Sequence, residues 1–136
     1  MEQGLEVWAS YAAANALLLF ALALNVGLRR GAQDQLQPGD TGDAVLTRAI
    51  RAHANFAEYA PTVLLLLLGM ALLDGPQAWL HSLGAGFTAG RVCHVIGMMR
   101  EKHPNAVRFI GNATTGLALL LGAAACLWLA FDPGPT

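Results

Sequence analysis

Charge is the scarcest feature of this chain. Aspartate, glutamate, lysine and arginine together make up 12% of its 136 residues, about half the share of an ordinary soluble domain. So little charge cannot dress a water-facing surface, and lipid becomes the expected solvent. With 8 basic against 9 acidic residues, the formal net charge is −1, which excludes the basic footprint of a nucleic-acid binder. No H-E-x-x-H, C-x-x-C or glycine-rich phosphate loop occurs, so no metal site is expected. The segment GDTGD lacks calcium-loop spacing. The chain has 2 cysteines. Cys93 belongs near the inner end of a third apolar segment and Cys126 near the outer end of a fourth. Their depths differ by about 20 Å at helical rise, so they cannot pair within one chain. Nor does the acidic start MEQGLEVW read as a secretory signal.

Apolar residues are abundant instead, at 55% of the chain with a mean hydropathy of +0.47. Val7 to Leu28 is 22 residues without charge, Phe109 to Phe131 is 23, and Gln77 to Met99 is 23 with Arg91 as its one charge. Each can cross a bilayer, which takes about 20 residues. Tyr59 to Leu73 is uncharged for 15 residues, too short alone. RRGAQDQLQPGDTGD, DGP and REKHPNA separate these runs and read as loops. The expectation is a single all-α domain over 1–136, a polytopic membrane protein with four transmembrane helices in an antiparallel bundle. Those helices fall at about 5–28, 45–73, 77–99 and 107–131. Arg29 and Arg30 in the first loop, and Arg100 and Lys102 with nearby Arg108 in the third, are the loop cations. The positive-inside rule puts these loops in the cytoplasm and both termini outside.

Depth then singles out a few polar residues. The uncharged run of the second helix covers about 22 Å of a hydrocarbon layer about 30 Å thick. About five more residues, back to Ala54, must lie in lipid. Asn55 and Glu58 therefore sit in the inner leaflet, with Arg51 at its edge. Counting from Gln77 puts Arg91 and His94 at the same level. On the second helix Arg48, Arg51, Asn55, Glu58, Tyr59 and Thr62 share an arc of about 100°. Arg91 and His94, at i and i+3, share a face of the third. Arg108, Asn112 and Thr115 make a stripe on the fourth. Pro61 removes the hydrogen bond to the carbonyl of Ala57, beside Glu58. Glu58 and Arg91 at one depth can be an ion pair that only staples the bundle. Intramembrane ionisable groups are equally default candidates for a site. Trp8, Tyr11, Trp79 and Trp128 read as interfacial belt residues, and His53 and His81 carry no assigned role. A haem between two histidines would find only His94 well placed. As a site, the shared level offers cations, an amide, a carboxylate and a phenol. That suits a small anionic molecule bearing carboxylates and an amine, and a thiol held beside an arginine would lose its proton more readily.

RAHANFAEYAP, residues 51–61, resembles the signature of the MAPEG family, membrane-associated proteins in eicosanoid and glutathione metabolism. Arg51, Asn55, Glu58, Tyr59 and Pro61 carry the likeness, and GRVCHVIGM, with Arg91 and His94, is similar to the family's third-helix motif. The resemblance implies a homotrimer with glutathione as cosubstrate in clefts between subunits. Arg51, Asn55, Glu58 and Tyr59 would hold it, with Arg91 and His94 lining the cleft. Arg108 resembles the fourth-helix arginine that stabilises the thiolate, and Arg30 is the next candidate for that role. Met98 stands where several members have a tyrosine, and Ala54 where some have a second arginine. The alanine- and glycine-rich chain reads as a bacterial inner-membrane member with its site facing the cytoplasm. The expected function is a glutathione-dependent transferase or peroxidase acting on small apolar electrophiles or lipid hydroperoxides. The alternative is a non-enzymatic member that binds lipid or glutathione.

Overall fold

Four helices follow from the apolar runs and their breakers: α1 (Glu2–Ala32), α2 (Ala44–Leu72), α3 (Gln77–Met99) and α4 (Ala106–Phe131). A computed structural model of the chain describes residues 2–32, 43–100 and 105–131, and among these there is no strand. Lys102 and residues 39–42 of the GDTGD segment lie outside them.

The helix ends have identifiable causes. Asp43 caps α2, its carboxylate accepting from the backbone N–H of Val45 at 2.8 Å, which satisfies one orphan donor of the first turn. At the other end Asp74 takes the left-handed conformation, φ 52°. This turns the chain so that the N–H of Gly75 reaches the carbonyl of Met70 at 2.8 Å, the six-to-one closure that ends many helices. Pro76 follows and cannot continue the helix. Its carbonyl accepts from Trp79 and Leu80 to start α3. Asn105 caps α4: its Oδ1 accepts from the N–H of Arg108 at 2.8 Å, while its Nδ2 donates to the carbonyl of Gly97 at 3.0 Å. One side chain thus starts α4 and pins it to α3.

The helices run antiparallel. Gly4 at the start of α1 lies against Ala71 at the end of α2, and Gln77 at the start of α3 donates to Gln3 at 2.7 Å. α2 and α3 touch each other and both outer helices, whereas α1 and α4 make no contact with one another. Leu46, Ala49, Ala52, Phe56, Ala60, Val63, Leu67 and Met70 recur every three or four residues on α2 and are all buried, the stripe a core-facing helix needs. Outside, large apolar side chains face outward, Leu17 at 70% exposed and Leu120 at 71% among them. An apolar exterior of this kind is made for lipid.

Of the described helices, α1, α2 and α4 are long and apolar enough to cross a membrane. α3 is as long as a span requires, but its histidines, its glycines and Arg91 lower its hydropathy. Several of these residues are turned inward: Gly84, Gly90, Arg91, His94 and Gly97 are buried. The chain is an all-α integral membrane bundle with α2 and α3 at its centre.

Glycine sets the spacing of α3 and α4. A Cβ on Gly97 would stand 2.5 Å from the backbone N of Arg108, and one on Gly111 2.5 Å from that of His94. The two backbones touch there, and no other residue type permits it.

Candidate functional site

Arg91 organises the inner half of the bundle. It projects from α3 and is fully buried, at 0% exposure. Its Nη2 donates to Oδ1 of Asn55 on α2 at 2.8 Å, and its Nη1 to Oγ1 of Thr115 on α4 at 3.2 Å. Thr115 spends its own proton on the carbonyl of Gly111 at 2.8 Å, which leaves its lone pairs for the guanidinium. The rings of Phe56 and Tyr59 lie 5.6 and 6.0 Å from the guanidinium carbon, close enough for cation–π attraction. Three helices therefore converge on one cation. Its Nε is buried and has no partner.

Among the described residues no carboxylate answers that charge. An ion pair of Glu58 with Arg91 or Arg51 is not formed: among the described residues Glu58 has no such partner and is exposed. The reason is angular. Glu58 is three residues beyond Asn55, about 60° round the helix. When Asn55 faces Arg91, Glu58 is carried to the outer surface of the chain. Arg51 and Thr62 are exposed on that same side, and Tyr59 is 36% exposed at its edge. α2 thus has two polar edges, one turned in to Arg91 and one turned out at membrane depth.

The remaining candidates are placed as follows. His94 is 2% exposed, its backbone against Gly111, and its Nδ1 is buried without a partner. Met98 is part of the core at 6%. Arg108 is exposed at the start of α4, with its backbone against Gly97. Arg30 is half-buried at the end of α1 with an unpartnered Nε. The structure brings Asn55, Tyr59 and Arg91 together with Thr115. It does not join Arg51, Glu58, Arg108 or Arg30 to that cluster within one chain.

Three features carry no signal strong enough to single them out by spacing. Phe56 sits inside the quoted motif but reads as an ordinary core residue. Gly97 and Gly111 lie in segments where glycine is common. Asn15 is the third: an amide in an apolar run was the available signal, and Asn25 shares it. Asn15 is 1% exposed and donates to Oγ1 of Thr88 at 2.8 Å. Two belt residues also do more than face the interface. Trp8 donates to the carbonyl of Leu64 at 3.1 Å, and the hydroxyl of Tyr11 lies 3.1 Å from Nδ1 of His81.

Toward the outer end, α3 and α4 leave an apolar groove of about 620 Å³, lined by Trp79, Phe87, Leu117, Leu121 and Trp128 and bounded at its inner end by Thr114. Thr114 packs directly on Gly90. The next residues in each helix, Thr115 and Arg91, form the hydrogen bond described above. An apolar space and a buried cation are thus neighbours.

A model of the MAPEG family matches residues 8–128. The inner membrane protein YecN of Escherichia coli K12 is 37% identical over 125 residues, covering 90% of this chain and 91% of that protein. YecN from Escherichia coli O6:H1 matches to the same extent.

Proposed function

This chain belongs to the MAPEG family, and from that premise we propose that it binds glutathione at the α2–α3 face and uses the thiol against small apolar electrophiles or lipid hydroperoxides. The observation that carries this reading is a buried guanidinium with no counter-anion. A charge in low dielectric is costly without an opposite partner. Among the described residues Arg91 has only neutral acceptors, Asn55 and Thr115, and an anionic ligand group held on the adjoining outward stripe of α2 would offset its charge at short range without touching it. The outward stripe of Arg51 and Glu58, with Tyr59 between it and Arg91, offers further donors and a carboxylate for a tripeptide that has carboxylates and an amine.

The same stripe argues for assembly. Charged residues at membrane depth avoid lipid, and Arg51 and Glu58 are both exposed on a single chain. A homotrimer covers them and makes the site a cleft between subunits, with buried His94 behind it rather than on its wall. In this reading Arg108, exposed at the start of α4, acts on a ligand held by a neighbouring copy rather than by its own. In the transferase reaction the glutathione thiol loses its proton to water. A nearby cation favours the thiolate. The sulfur then bonds to the electrophilic carbon, and the leaving group departs with its electron pair. Arg108, with Arg30 as the alternative, is the proposed stabilising cation.

A second reading has its own support. Arg108 does not join the Arg91 cluster within one chain, and Met98 is packed into the core. A binder of lipid or glutathione without turnover fits both facts. Purified protein in detergent decides between them: it should bind glutathione and consume 1-chloro-2,4-dinitrobenzene. Binding without consumption selects the binder, and neither refutes the proposed site.

A further inference from the structure

α3 and α4 close on each other toward their inner ends. Gly97 meets Arg108, Gly111 meets His94, and Thr114 packs on Gly90. One turn further out a Cβ on Gly86 would meet nothing within 4 Å, and there the apolar groove of about 620 Å³ lies open. Small residues line its middle, Ser82 and Gly86 on α3 and Ala118 and Ala124 on α4, and Trp79 and Trp128 wall its outer end. It faces outward: Gly86, Leu117, Leu121 and Ala124 are all exposed. The hydroxyl protons of its lining are spent, Ser82 Oγ donating to the carbonyl of Ala78 at 2.7 Å and Thr114 Oγ1 to that of Ile110 at 3.0 Å. Such walls suit hydrocarbon.

The groove spans one leaflet. Trp79 lies two residues into α3, at the outer interface where tryptophan rings gather. The lining runs about 12 Å along α3, from Trp79 to Phe87, and about 21 Å along α4, from Thr114 to Trp128. Half the hydrocarbon layer is about 15 Å. Spread over such a length, 620 Å³ leaves a cross-section of about 40 Å², half of what a helix about 10 Å across fills. A helix of a neighbouring copy is too wide to seat there, and the exposed polar stripe of α2 contributes nothing to the lining. An extended acyl chain fits. Charge at the outer mouth then selects the head group. Every described arginine lies at the level of Arg91 or nearer the inner end, whereas the described charges of the outer end are Glu2, Glu6 and Asp74. Asp74 belongs to the turn whose Gly75 packs against Leu129 and Leu80, the chain neighbours of Trp128 and Trp79. α2 and α4 also end at this level, and helix C-termini favour cations. We propose that the groove binds an acyl chain of an outer-leaflet phospholipid with an ethanolamine head group, whose ammonium is attracted to Asp74. An anionic head group is repelled there. The inference does not rest on glutathione binding.

Native mass spectrometry on protein extracted from bilayers of equal phosphatidylethanolamine and phosphatidylglycerol content tests this. The parent should retain phosphatidylethanolamine in preference to phosphatidylglycerol. Gly86→Phe, whose ring fills the groove, should lose the lipid while keeping the parent's circular dichroism and oligomeric mass. Ala124→Phe fills the groove from α4 and decides if Gly86→Phe does not fold. Asp74→Asn should keep a lipid and lose the head-group preference. The proposal is overturned if the parent retains no lipid, if it retains both lipids equally, or if the filled variants retain as much as the parent. A filled variant that changes oligomeric mass instead makes the groove a contact between copies, which also overturns it.

Discussion

Replacing Gly111 by alanine tests how the site is held together. The added Cβ would lie 2.5 Å from the backbone N of His94 and 2.6 Å from its Cα and Cβ. Ordinary contact for such atoms begins near 3.4 Å, so α3 and α4 must separate by about 0.9 Å at this point. No rotamer can relieve the clash, since the atoms met are backbone and Cβ. Separation acts directly on the site. The bond from Arg91 to Thr115 is already 3.2 Å, and moving the helices apart stretches it to about 4 Å, beyond hydrogen-bonding range. Overpacking of this kind costs about 1–3 kcal/mol, and a lost bond from a charged donor about 1.5–3 kcal/mol. The expected loss is then about 3–5 kcal/mol, or roughly 10 °C in Tm. Thermal unfolding followed by tryptophan fluorescence in detergent measures it. Gly86→Ala is the internal control: nothing lies within 4 Å of a Cβ there, and its Tm should match the parent or rise slightly. If Gly111→Ala melts with the parent, the glycine seam does not set the helix spacing.

Three further outcomes are expected. Asn55→Ala removes the 2.8 Å acceptor of Arg91 Nη2 and should cost about 1–3 kcal/mol for the buried donor left behind. Asn55→Asp, which supplies a counter-charge, should be at least as stable as the parent; denaturation of the pair checks the sign. Arg108→Ala should lower conjugation by about one to two orders of magnitude, the usual effect of losing a preorganised charge, while changing glutathione affinity far less than Asn55→Ala does. Titrating the thiolate absorbance of bound glutathione in parent and variant tests this: equal titration midpoints and equal rates exclude Arg108. Native mass spectrometry in detergent should find trimers, and a population of monomers alone would contradict the assembly argument drawn from exposed Arg51 and Glu58.

The all-α membrane architecture was legible because lipid leaves so strong a mark on composition: few charges, long uncharged runs and polar breakers. Depth arithmetic was also informative, since it placed Asn55 and Arg91 at one level, and they are bonded. Azimuth was the weaker guide. An arc of about 100° put Asn55 and Glu58 together, yet at a helix packed on one side such an arc straddles inside and outside. Asn55 turns to Arg91 and Glu58 turns away from it. Charge complementarity pointed to a Glu58–Arg91 pair, whereas the packed bundle surrounds the arginine with an amide, a hydroxyl and two aromatic rings. Thr115 was visible only as one member of a polar stripe with Arg108 and Asn112. Its tie to Arg91 depends on the close approach at Gly111, and contacts between helices distant in sequence leave no local pattern. Asn15 and Thr88 lie 73 residues apart, for the same reason beyond any periodicity.

Uptake of glutathione at the α2 face beside Arg91 can be measured on the intact protein. Equilibrium dialysis of radiolabelled glutathione against the protein in nanodiscs tests it most directly, with Asn55→Ala and Glu58→Gln run beside the parent. The parent should bind saturably and each variant clearly more weakly. Uptake at this face is contradicted if the correctly assembled parent shows no saturable binding, or if both assembled variants bind as the parent does.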